Sequence, residues 1–272
     1  MRRNCLAIPV SSFLLVALLL PAWGQTNIDN PNGQLSAVGV STDQKPKMSD
    51  EDLARLYLIR KQYREAQDLF HKLTIEQPKN AVYWNELGIS FHNQSELNSA
   101  LKCYQKSVKL NSGYADAQNN VGTIYYERKK YSRAIRAYKK AIQLRQDYAA
   151  FYLNLGYAYF GEKNYADSIA SFRKALQIDP DTFEAARSRT GTVIQDRSIA
   201  SDRAQFYFLL AKSFAESGNV ERSIIYLKKA RDEGYQNMSS VKTDPSFAIV
   251  IKDPAVQDLL IEKTSSENVQ QQ

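Results

Sequence analysis

The sequence predicts an all-α chain, built as a solenoid of antiparallel helix pairs. Three observations predict it. Residue types recur every 34 positions, and apolar residues within each recurrence fall three and four apart. Glycine and proline, 11 and 8 in 272 residues, are too sparse and too evenly scattered for a strand-rich fold. The 43% of hydrophobic residues suffices for a core, and the aromatic share leans to tyrosine, 17 against 11 Phe and 2 Trp.

The first 24 residues stand outside that fold. Arg2 and Arg3 give a positive start, Leu6 to Leu20 is apolar but broken by Pro9, and Pro21-Ala22-Trp23-Gly24 ends in small residues. This is the pattern of a secretory signal peptide cleaved between Gly24 and Gln25. An uncleaved anchor is the competing reading, but the apolar run is shorter than the ~20 residues a spanning helix needs. The expected destination is therefore the periplasm or the medium. Cleavage removes two arginines and lowers the formal charge from +7 to +5. It also leaves Cys103 as the only cysteine, so the exported fold must stand on packing rather than on an internal disulfide. No stretch after Leu20 is long and apolar enough to span a bilayer.

Residues 25–46, rich in Asn, Gly, Ser, Gln and Pro without periodicity, read as a disordered linker. The recurrences follow at 47–80, 81–114, 115–148 and 149–182, and a fifth at 204–237 after an offset. Tyr57, Phe91, Tyr125 and Tyr159 form one column; Tyr63, Leu97, Tyr131 and Tyr165 a second; Ala66, Ala100, Ala134 and Ser168 a third; Phe70, Tyr104, Tyr138 and Phe172 a fourth. Leu210, Ala211, Phe214, Val220, Ser223, Leu227 and Ala230 fill the same places in the fifth copy. Ser49, before Asp50, Glu51 and Asp52, reads as an N-cap with an acidic first turn. Within one copy, Trp84, Leu87 and Phe91 share a face of a first helix, and Leu97, Ala100, Tyr104, Ser107 and Val108 a face of a second. Small residues pair between the two helices: Ala54 with Ala66, Gly88 with Ala100, Gly122 with Ala134, Gly156 with Ser168, Ala211 with Ser223. A helical glycine costs about 1 kcal/mol relative to Ala, so three in one column predict a close helix approach. One copy cannot fold alone, because only stacked neighbours bury both sides of a pair. Pro78 and Pro180 close two of the second helices.

These columns resemble the tetratricopeptide repeat: a Trp or Tyr, then Leu-Gly, an aromatic, Ala, Phe or Tyr, Ala and Pro. The best copy reads Tyr152, Leu155, Gly156, Tyr159, Tyr165, Ser168, Phe172, Ala175, Pro180. The resemblance implies a right-handed superhelix whose first helices line a concave groove that holds a protein or peptide. Helical geometry then puts Asn85, Ile89, His92, Asn119, Thr123, Tyr126, Leu153, Tyr157, Phe160 and Phe208 on that groove. Rings and amides together suit a peptide, since rings bury apolar side chains and amides both donate and accept. Family members that clamp a terminal carboxylate use cations where this chain has Asn85, Ala150 and Asn154, so that ligand is not expected. The alternative reading is an assembly component of a cell-envelope complex, packing by its convex and terminal surfaces. The sequence leaves the oligomeric state open.

Residues 183–203 interrupt the stack, either as a surface loop or as an insertion that touches a partner. After the fifth copy, Asp244-Pro245 and Asp253-Pro254 each put a capping carboxylate before a proline at the first helical position. With Phe247, Val250, Ile251, Val256, Leu259 and Leu260, residues 238–263 read as a helical cap, and 264–272 as a polar disordered tail.

No catalytic constellation accompanies the repeats. Two histidines, His71 and His92, lack any metal-binding spacing, and there is no phosphate loop or nucleophile elbow, so neither an enzyme nor a cofactor is expected. The pairs Lys129-Lys130, Lys139-Lys140, Arg173-Lys174 and Lys228-Lys229 fall in turns and on second helices. They read as a solvated face rather than a nucleic-acid footprint.

Overall fold

The computed structural model describes residues 48–185 and 202–260. The proposed signal peptide, linker and tail, and most of the 183–203 interruption, lie outside those residues. Five helix pairs follow one another: α1 (Asp50–Ile59) with α2 (Tyr63–Glu76), α3 (Ala81–Asn93) with α4 (Leu97–Leu110), α5 (Ala115–Glu127) with α6 (Tyr131–Leu144), α7 (Ala149–Gly161) with α8 (Tyr165–Ile178), and α10 (Arg203–Glu216) with α11 (Val220–Asp232). A single turn, α9 (Thr182–Ala185), precedes the fifth pair, and after three 3₁₀ turns α12 (Pro254–Leu260) is the last element of the described residues. There is no strand among the described residues. Within each pair the helices are antiparallel neighbours, and each second helix packs on the next first helix, α2 on α3, α4 on α5, α6 on α7. Across the interruption α10 packs on α8, so the stack continues with α10 in the place of the next first helix.

The small-residue columns sit where the helices meet. A Cβ added to Gly88 would stand 2.5 Å from the Tyr104 ring, one on Gly122 2.6 Å from Tyr138, and one on Gly156 2.4 Å from Phe172. Those rings, with Phe70, are fully buried. In these three pairs the second helix thus drives an aromatic ring against the backbone of its partner, where glycine leaves the room; alanine, Ala54 and Ala211, holds the same place in the first and fifth pairs. Where serine replaces alanine in the opposing column, its hydroxyl donates to the facing carbonyl: Ser168 Oγ to Gly156 O at 2.9 Å, and Ser223 Oγ to Ala211 O at 2.8 Å.

Each first helix stops in the same way. Lys61, Ser95, Lys129, Lys163 and Gly218 take positive φ, between 56° and 82°. The residue after each donates its N–H back to the last exposed turn, as Gln62 N to Tyr57 O at 2.8 Å and Lys130 N to Tyr125 O at 2.8 Å. This is the Schellman closure, which ordinarily recruits glycine. Four of the five copies place a side chain in the left-handed region instead, at a cost of roughly 1–2 kcal/mol each. The stacked neighbours hold the turn against that cost.

Candidate interaction groove

The repeat register brings successive first helices together through the same two positions in each copy. Between α3 and α5, Asn120 Nδ2 donates to Asn85 Oδ1 at 3.0 Å. Between α5 and α7, Asn154 Nδ2 donates to Asn119 Oδ1 at 2.9 Å. Asn119 Nδ2 donates to Asn120 Oδ1 at 3.4 Å, which joins the two rungs into one ladder across three helices. All four asparagines are buried. One repeat before Asn85 and Asn120 the same places hold Glu51 and Glu86, two carboxylates in place of two amides. Glu51 accepts from Tyr83 OH at 2.6 Å and from Arg55 Nη2 at 3.0 Å. Those bonds hold its carboxyl below the ordinary range, Tyr83 first and Arg55 second. Glu86 is pushed the other way by burial, against the pull of Arg55 and a bond from Asn85.

Of the ten residues expected to line the groove, only Ile89 and His92 keep partly open surface, and eight are buried. His92 Nε2 meets Glu127 Oε1 at 2.6 Å, tying α3 to α5 at their C-terminal ends. Exposed Asn93 donates to Ile89 O at 2.9 Å beside it. Thr123 accepts from Tyr138 OH at 3.3 Å. Leu153, Tyr157 and Phe160 belong to the largest core cluster, together with Tyr126. The rings of Tyr157 and Phe160 both meet Phe206 of α10, whose centroid lies 5.6 Å from Tyr157 in a stack and 5.3 Å from Phe160 edge-on. Tyr126 packs edge-on to Tyr131 at 5.5 Å. Phe208 is separate from the rest. It stacks on Tyr235 at 4.2 Å and meets Phe247 at 5.6 Å, so the C-terminal segment covers it. Lys212 and Glu216, further along the same face of α10, are held by that segment too, through Asp244 at 2.6 Å and Ser246 at 2.8 Å. The open part of the first-helix face therefore runs over α1, α3 and α5, and it carries Arg55, Glu86, Ile89, His92, Asn93, Asp116 and Glu127.

This surface is polar, of mixed charge, and short of reactive groups. Cys103 is buried, and burial pushes its thiol up to about 11, far from a thiolate at neutral pH. Among the described residues no three metal-ligating side chains converge, and no helix is long and apolar enough to cross a membrane. The basic pairs lie on the turns and second helices, away from the ladder.

Three family models match this chain: a tetratricopeptide repeat over residues 51–115, a TPR repeat over 122–163 and a tetratricopeptide repeat over 149–182. These segments are tetratricopeptide repeats. Among solved structures, PilF from Pseudomonas aeruginosa is 21% identical, with 77% of this chain and 86% of that one covered at a TM-score of 0.50. A crystal structure of MamA is 20% identical, covering 69% of this chain and 98% of that one at 0.48. MamA from Desulfovibrio magneticus RS-1 is 17% identical over 69% and 95%, also at 0.48. At 21% identity the likeness to PilF is one of fold alone. No curated protein matches the sequence significantly.

Sequence reasoning missed the ladder as a unit, although its signal was present. The sequence reading places Asn85 and Asn119 on the groove and Asn154 only among the carboxylate-clamp positions, and only the one-repeat shift that pairs Asn85 with Asn120 and Asn119 with Asn154 shows one rung repeated. It missed the burial of Tyr157 and Phe160 because α10 follows an interruption, and nothing in periodicity says that Phe206 returns to Tyr157.

Proposed function

We propose that the chain is an exported tetratricopeptide scaffold that holds a protein or peptide partner on the first-helix face of α1, α3 and α5. One observation carries the reading. Over these helices the face stays open and polar; the asparagine ladder ties α3 to α5 behind it and Tyr83 ties α3 to Glu51 of α1, as a preorganised recognition surface requires. The buried asparagines spend part of their capacity on each other, while exposed Asn93 and Glu127 present donors and acceptors toward solvent. The rings of α7 and α10 serve as core under this reading, and the bound segment ends where they begin.

The test uses photocrosslinking amino acids at Asn93 and Glu127 on the open face, and at Lys102 and Lys139 on the second helices. All four sites are exposed. Crosslinks to one partner protein from the first pair and not the second are the expected outcome; the reverse pattern removes the groove. Replacing Tyr126 or Tyr157 is a poorer probe, because both are buried and their loss would loosen the core. Export is checked separately by the mass of the chain recovered from its producing cell, with Gln25 as the expected first residue and an intact Met1 end as the overturning one.

A further inference from the structure

The two ends of the stack differ. At the C-terminal end Val241, Phe247, Val250, Val256, Leu259 and Leu260 are buried over α10 and α11. At the other end α1 has no preceding second helix among the described residues. In later first helices the place of Leu53 is taken by Leu87, Val121, Leu155 and Leu210, and that of Leu56 by Ser90, Ile124, Ala158 and Ser213, all buried. Leu53 and Leu56 are only half-buried, and at the ends of α1 Met48 is 50% and Ile59 76% exposed. An apolar edge therefore runs along the outside of α1.

We propose that this edge is closed by a second copy of the chain, with α1 packed antiparallel on α1 of its partner about a two-fold axis through Leu53 and Leu56. The charge pattern of the helix selects this occupant. Its first turn is acidic, Asp50, Glu51 and Asp52, and exposed Arg60, Lys61 and Arg64 follow its last turn. Asp50 is engaged by Lys72 at 2.6 Å and Glu51 by Arg55, which leaves Asp52 as the exposed carboxylate of the turn. Antiparallel pairing sets each acidic end against the partner's basic end, twice, and opposes the two helix dipoles. A surface complementary to its own copy is what a two-fold contact requires; a parallel arrangement would set like charges together. Ten residues of helix span about 15 Å. The contact is therefore smaller than the ~800 Å² per partner of a standard interface, and the dimer is reversible and concentration-dependent. The inference is independent of the groove, which lies on another face of α1.

Sedimentation velocity from low to high micromolar concentration tests it, on the chain beginning at Gln25 and on the one beginning at Met48, which holds the whole compact unit. Both are expected to pass from monomer to dimer. Leu53→Glu should stay monomeric throughout with an unchanged circular dichroism melt, since this side chain is only half-buried. Arg60→Glu should weaken association by up to roughly tenfold, and adding Asp52→Lys should restore it. Monomers at every concentration overturn the proposal, as does a dimer indifferent to Leu53→Glu. A dimer formed only by the chain beginning at Met48 also overturns it, because residues 25–47 would then be the occupant.

Discussion

Across the first repeats successive first helices meet through carboxylates and amides, and across the last ones through hydrocarbon. The same two positions hold Glu51 with Glu86, Asn85 with Asn120, Asn119 with Asn154, and then Leu153 with Leu209. In the polar half, each contact has a direction and a partner count, so a rung either forms in one geometry or leaves a buried group short of a bond. In the apolar half, the contact is an area. Phe206 stacks on Tyr157, meets Phe160 and Phe172 edge-on and lies tilted against Tyr207, so no single geometry is required of it. One fold therefore holds a half that is specified and a half that is glued, and the open face lies over the first.

The largest effect that separates the halves is expected at Phe206. Phe206→Ala removes the ring shared by α7, α8 and α10, and should cost about 3–5 kcal/mol. Because a solenoid's stability is a sum over neighbouring repeats, the loss should fall on the fifth pair and the cap before the rest. Hydrogen exchange of α10 and α11 should accelerate far more than that of α3 and α5; uniform acceleration would mean that the two halves unfold as one. A smaller loss is expected in the ladder. Asn119→Ala takes an acceptor from Asn154 and a donor from Asn120, and should cost about 1–3 kcal/mol by urea unfolding. Replacing Asn119, Asn120 and Asn154 together by leucine should cost less than the sum of the single changes, since leucines, Leu153 and Leu209, already occupy the equivalent places on α7 and α10 within one core cluster. Simple additivity would show that the rungs are independent bonds and not a ladder.

Much of this was legible in the sequence, for reasons that can be named. The helix pairs and the Gly88, Gly122 and Gly156 contacts follow from side-chain volume repeated at a fixed period, and volume is written in residue type. The Schellman turns at Lys61, Ser95, Lys129 and Lys163 were not legible, because the residue that would mark them is glycine and the stack overrides that preference in four of five copies. The burial of Tyr157 and Phe160 was not legible either. Helical geometry gives the direction of a side chain from its own axis, but whether it meets solvent depends on Phe206, 49 residues after Tyr157 and 46 after Phe160, beyond an interruption of no readable period.

The smallest predicted effect is electrostatic, and it sets the two regions against each other by sign. Glu86 in the polar half has its carboxyl raised above 4.5 by burial. Its folded form prefers the proton, so stability from this group is full below 4.5 and falls as pH rises through the raised value. Asp244 under the cap is also pushed up by burial, but the Lys212 ammonium and the Ser246 N–H outweigh that and leave it below 3.8. Its stabilisation is present above 3.8 and lost as pH falls through the lowered value. Glu86→Gln should therefore raise the melting temperature at pH 7, by about 2–4 °C, and leave it near the parent value at pH 4. Asp244→Asn should lower it at pH 7, with the difference closing only below the depressed value. Thermal melts of both variants across pH 3 to 8 check the pair. If Glu86→Gln destabilises at neutral pH, the attraction of Arg55 and the bond from Asn85 outweigh desolvation, and Glu86 holds its charge as firmly as the cap holds Asp244.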